Sequence, residues 1–185
     1  MRRTFPKTVS RSLALLLIAG PLLAASPVRA QRHQDPLTDQ EADQVADLRD
    51  QPNARLKLYQ KFVQQRIDAI KTLGTNPAGD DRKADLRAKY EEFTHICDEL
   101  QDNLDTFDEA HADIRKSLKD LVPATTKWLA ILNQAAADRA YDFARKTAVD
   151  CAQSTSDDAT KTYEAQKKFF AEHKSDRNKN GSGPT

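Results

Sequence analysis

Apolar residues return every third or fourth position through most of the chain and nowhere alternate over a strand length, which is helical rather than sheet patterning. Leu56, Tyr59, Val63, Ile67, Ile70 and Leu73 form one stripe with Phe62 beside it, predicting a helix over 53–73. Gly74 follows in a C-terminal position, and Pro77 blocks continuation. From Asp81 to Leu121 the spacing alternates four and three without a slip. Its positions are Leu86, Tyr90, Phe93, Cys97, Leu100, Leu104, Phe107, His111, Ile114, Leu118 and Leu121. Such a run predicts one long, gently supercoiled helix, which Pro123 ends or follows. A further helix is expected from about Ala124, on the stripe Trp128, Leu129, Leu132, Ala136, Ala140, Phe143, Thr147 and Cys151. Ala159, Tyr163, Gln166, Phe170 and His173 carry it past the polar Ser154–Asp158 stretch, where it either bends or continues. Ahead of these, Thr38 and Glu41 have the spacing of a capping box, opening a short helix over 39–48 with Leu37 as staple.

Short connections make neighbouring helices antiparallel. The expected fold is therefore all-α: an elongated antiparallel three-helix bundle. Its parts are a long helical hairpin bent near Pro123, the shorter 53–73 helix, a short N-terminal helix and a C-terminal stretch that either bends at Ser154–Asp158 or continues. The helical domain spans 37–174, after a polar leader over 31–36. The polar run from Ser175 to Thr185 has the composition of a disordered tail.

Residues 1–30 change the picture of where the chain goes. Arg2, Arg3, Lys7 and Arg11 precede an apolar run from Leu13 to Ala24, and Val28 and Ala30 are small residues before a cleavage position at Ala30–Gln31. That is the pattern of a secretory signal peptide, so an exported, periplasmic or secreted protein is expected. Arg2-Arg3-Thr4-Phe5-Pro6-Lys7 is similar to a twin-arginine export motif, although the strongly apolar run fits the general secretory route better. Cleavage would leave 24 basic and 28 acidic residues, a net charge of −4. A mildly acidic chain argues against nucleic acid as a partner. No later segment is long and apolar enough to span a bilayer, so no transmembrane segment is expected after cleavage.

Export also bears on the cysteines. Cys97 lies 26 residues before Pro123 and Cys151 lies 28 after it, each on the apolar stripe of its helix. In a hairpin bent at Pro123 both would be ~40 Å from the bend, nearly level. A disulfide between Cys97 and Cys151 is expected in an oxidising compartment, closing a loop of roughly 55 residues.

Chemistry-bearing patterns are few. Glu92-Phe93-Thr94-His95 has the Glu-x-x-His spacing of di-iron bundles, but it occurs once and the seam register places His95 outermost. His111 falls on the seam and is the candidate metal or haem ligand, without a partner at helical spacing. Between Glu91 and Asp113 there are nine acidic residues and no basic one. Asp98, Glu99, Asp102, Asp105, Glu109 and Asp113 make the candidate binding face, suited to a basic partner or divalent cations; a solvated surface is the plainer reading. No nucleophile elbow, phosphate loop or zinc motif is present, so no enzyme and no cofactor are expected.

Leu37-Thr38-Asp39-Gln40-Glu41-Ala42-Asp43 and Arg55-Leu56-Lys57-Leu58-Tyr59-Gln60-Lys61-Phe62 resemble segments of uncharacterised exported helical proteins of bacteria. The resemblance implies export and helices and carries no activity. Leu37-Thr38 also opens a segment similar to the Leu-Thr-x-x-Gln motif of Spy-like periplasmic chaperones, departing from it at Glu41, with no second copy. The expected role is non-enzymatic binding of another periplasmic protein, or a structural or adaptor role. A cation- or cofactor-binding bundle and a coiled-coil homo-oligomer are the alternatives.

Overall fold

The computed structural model describes residues 36–75 and 80–173, which form five α-helices and no strand. The expected signal peptide over 1–30, nearly all of the expected polar leader and the expected tail lie outside the described residues. The helices are α1 (Asp39–Asp47), α2 (Pro52–Thr75), α3 (Asp80–Glu109), α4 (Arg115–Gln134) and α5 (Asp142–Glu172).

The capping box is present. The Glu41 N–H donates to Thr38 Oγ1 (3.2 Å), and the Glu41 carboxylate accepts the Thr38 N–H (2.9 Å). Glu41 does a second job, holding Arg66 of α2 through both terminal guanidinium nitrogens, Nη1 and Nη2. Arg66 also donates to the Pro36 carbonyl (3.1 Å), so one buried guanidinium fastens the start of α1 to the middle of α2. Hydrogen bonding from Arg66 is the main reason the Glu41 carboxyl is held down at about 2.

The long predicted helix is two helices. α3 stops at Glu109 and α4 begins at Arg115. At the break the Ala112 N–H bonds back to Phe107 O and the His111 N–H to Asp108 O, both 2.9 Å. These are the paired bonds of a Schellman stop, whose left-handed residue is usually glycine. Here it is His111, with φ of 53°. The chain therefore reverses at 110–114 and not at Pro123, which lies inside α4. An interior proline costs about 3 kcal/mol. Burial of Leu118, Leu121, Trp128 and Leu132 on either side of it offsets that cost.

A second reversal over 135–141 separates α4 from α5. Asp138 organises it, accepting the Ala140 N–H on its side chain (2.9 Å) and the Asp142 N–H on its carbonyl (2.8 Å). The reversal shifts the register of α5. Phe143, placed on the apolar stripe by the sequence pattern, is 85 % exposed. The buried line of α5 is instead Ala144, Ala148, Cys151, Ala152, Thr155, Ala159, Gln166 and Phe170, and the helix runs unbroken through Ser154–Asp158.

Four helices rather than three thus enclose the core. α2 packs on α3 and α4, and α5 packs on the same two, so α3 and α4 lie across a diagonal. Tyr59 meets Glu99 and Arg66 meets Glu92, so α2 and α3 are antiparallel. Tyr90 meets Tyr141, Gln101 meets Asp158 and Asp108 meets Gln166, so α3 and α5 run parallel. Trp128 fills the centre, edge-on to Phe93 and donating its indole N–H to Gln64 (3.0 Å).

Candidate binding face on α3 and α5

Asp98, Asp102, Asp105 and Glu109 follow one another at intervals of four, three and four, so they form one line on α3. All four are exposed. α5 runs alongside. Gln101 reaches across to Ser154 (2.9 Å) and Asp158 (3.2 Å), and Asp108 accepts a hydrogen bond from Gln166 (2.9 Å). These contacts bring the Asp158 carboxylate to the acidic line. The Asp105 carboxyl is raised above its ordinary value, first by lost hydration, then by the fields of Asp158, Asp102, Glu109 and Asp108. Asp105 thus sits among like charges close enough to disfavour its ionised form.

The other two residues of the expected face belong elsewhere. Glu99 turns to α2, where it accepts the Tyr59 hydroxyl (2.8 Å). Burial and that carboxylate push the Tyr59 phenol up to about 12. Asp113 lies in the turn before α4 and pairs with Arg115 at 2.6 Å, while its backbone carbonyl accepts from Asn53 Nδ2 (2.6 Å). Sequence reasoning misses Asp158. A hairpin bent at Pro123 would align the acidic stretch with other parts of the chain; the parallel α3–α5 pair places it against Asp158.

His111 is not in the core. It is exposed, and its ring stacks on Phe169, centroids 4.9 Å apart; His173 stacks on the same phenyl at 4.5 Å. Glu92 is engaged by Lys89 (2.6 Å), with Arg66 at 3.4 Å, and His95 is exposed on the next turn. Glu92 therefore belongs to an ion-pair cluster with Lys89 and Arg66. Among the described residues no three His, Cys, Asp or Glu side chains are grouped to hold a metal ion.

The two cysteines lie at the same level of the bundle, although by another route than a hairpin at Pro123. Both are buried thiols at the α3–α5 contact. The Cys97 sulfur lies 3.1 Å from Thr155 Oγ1, and the Cys151 thiol donates to Asp98 Oδ1 at 3.2 Å. The neighbouring Cys97 thiol, then burial, then Asp98, push the Cys151 thiol far up. An open groove of about 630 Å³ between α2 and α3 is lined by Asp68, Ala69, Thr72, Leu73, Asp85 and Ala88, with Lys89 and Glu92. Its lining is mostly apolar and converges on no buried polar group.

These features define a class: an all-helical bundle with an acidic line on one parallel helix pair and, among its described residues, no helix long and apolar enough to cross a membrane. No protein-family model, curated protein or solved structure matches the chain.

Proposed function

We propose that this chain is an exported, non-enzymatic bundle that binds a lysine- or arginine-rich protein segment along the α3–α5 acidic line. The observation that carries the reading is the exposed line Asp98, Asp102, Asp105 and Glu109 with Asp158 beside it: lost hydration and then the neighbouring charges raise the Asp105 carboxyl, and a cationic partner would relieve the effect of the charges. The basic, apolar and small-residue blocks of residues 1–30 support export.

Calorimetric titration with a lysine-rich peptide tests this. The protein should bind it at about 0.15 M salt. Neutralising Asp102, Asp105 and Glu109 together should abolish binding, whereas neutralising Asp39, Asp43 and Asp47 on α1 should leave it intact. Equal losses in the two triple variants would show that net charge alone is at work and end the proposal. Stoichiometric calcium uptake that competes with the peptide would favour the cation-binding alternative.

A further inference from the structure

We propose that Cys97 and Cys151 are the two halves of a disulfide that staples α3 to its parallel neighbour α5. The placement does not depend on export or on the acidic line, and it goes beyond the binding role. The Cys97 sulfur touches Thr155, one turn beyond Cys151 on α5. The Cys151 sulfur is 3.8 Å from the Thr94 carbonyl, about one turn before Cys97 on α3. Each sulfur is thus aimed at the opposite helix, at the level of the other. Ala148 and Ala152 flank Cys151 on the buried line of α5, and small side chains there let the backbones approach.

Making the bond removes two protons and two electrons, so an oxidant of the disulfide class is required, such as oxidised glutathione. One cysteine thiolate attacks that disulfide, and half of it leaves as a thiolate. The second cysteine then attacks the mixed disulfide, and the other half leaves. The two leaving thiolates take up the two protons, and the oxidant is reduced to two thiols. In the closed bundle this exchange is obstructed. Cys97 is fully enclosed, and Cys151, 8 % exposed, keeps its proton against Asp98. The bond is therefore made while the helices are still assembling and is then shielded from reductants.

The test is refolding of the full chain from denaturant and reductant into a glutathione redox buffer, followed by alkylation and mass measurement. The expected product carries no alkylated cysteine, is lighter by two hydrogens than the reduced chain, and melts about 10 °C higher than it. Folded, reduced protein placed in the same buffer should form the bond at least ~10²-fold more slowly. A Cys97→Ala/Cys151→Ala double variant should melt at one temperature with or without oxidant. Two alkylated sulfurs after oxidative refolding, or equal melting of the oxidised and reduced chain, would overturn the proposal. Equal rates from folded and unfolded chain would overturn the order of events. The wild-type comparison decides the matter even if the double variant does not fold.

Discussion

Gln166 closes the turn that carries Ile114. Its Oε1 accepts the Ile114 backbone N–H at 3.1 Å, while its Nε2 donates to the Ala112 carbonyl (3.0 Å) and to Asp108 (2.9 Å). At 3 % exposure no solvent can replace it. Gln166→Leu would leave a buried N–H and a buried carbonyl unpaired, at about 1–3 kcal/mol each. Urea denaturation should show a loss of at least about 2 kcal/mol. A loss near zero would mean that the turn is not held from α5.

His111 gives a test by sign. In a helix interior alanine is more stabilising than glycine by about 1 kcal/mol. At a left-handed position the order reverses, because a Cβ there costs about 1–2 kcal/mol. Both substitutions forfeit the stack on Phe169, so that loss cancels in the comparison. His111→Gly should therefore melt higher than His111→Ala. The opposite order would restore the continuous helix that the heptad pattern suggests.

The Glu41–Arg66 pair sets an acid limit. The Glu41 carboxyl lies at about 2 in the folded protein against an ordinary value of 4.5. A lowered folded value contributes stability that is complete above the unfolded value and is lost as pH falls from about 4.5 toward 2. Glu41→Gln should cost about 2 kcal/mol at neutral pH, after allowing for the solvent that still reaches the pair. The variant should also lose less stability than the wild type across that acid window. Parallel losses in the two proteins would assign the pH dependence to other groups.

Asp105 should behave in the opposite sense. Its raised carboxyl disfavours the charged form in the folded chain, so its contribution improves as pH falls just above the ordinary carboxylate range. Asp105→Asn should raise the stability at neutral pH and low salt by about a few tenths of a kcal/mol at this exposure, and the melting point with it. About 0.5 M salt should erase most of the gain. A drop in melting point would show that Asp105 is a structural residue, which would remove it from the binding line.

The heptad pattern identifies which side chains are buried far better than where the chain turns. Leu86, Tyr90, Phe93, Cys97, Leu100, Leu104, Ile114, Leu118 and Leu121 are all in the core, as their spacing predicts. That spacing says nothing about a reversal, because residues on both sides of the break face the same interior. The break lacks the glycine that usually marks it, and its partners come from α2 and α5, remote in sequence. Pro123 misleads for the converse reason: it is a local breaker whose cost is covered by burial on both sides of it. With the turn set at Pro123, the pattern puts Phe143 in the interior, overlooks Asp158 and pairs α3 antiparallel with the wrong stretch. The cysteines still come out level. The run down α4 and partway back along α5 returns Cys151 to about the depth below the α3–α4 turn at which Cys97 stands. The acidic line is legible on α3 alone; its α5 side is not.

Several helix ends are finished by a side chain from another helix. Asn53 of α2 accepts the Ser117 N–H at the start of α4 (3.1 Å), where Ile114 has no side chain able to do so. Arg82 of α3 covers the last carbonyls of α2 at Leu73 (2.6 Å) and Gly74 (3.0 Å), and Gln166 serves the α3–α4 turn. No half of this domain, excised alone, would retain the partners that terminate its own helices. Backbone amides of α2, α4 and α5 should then exchange with deuterium at one common limiting rate, set by opening of the whole domain.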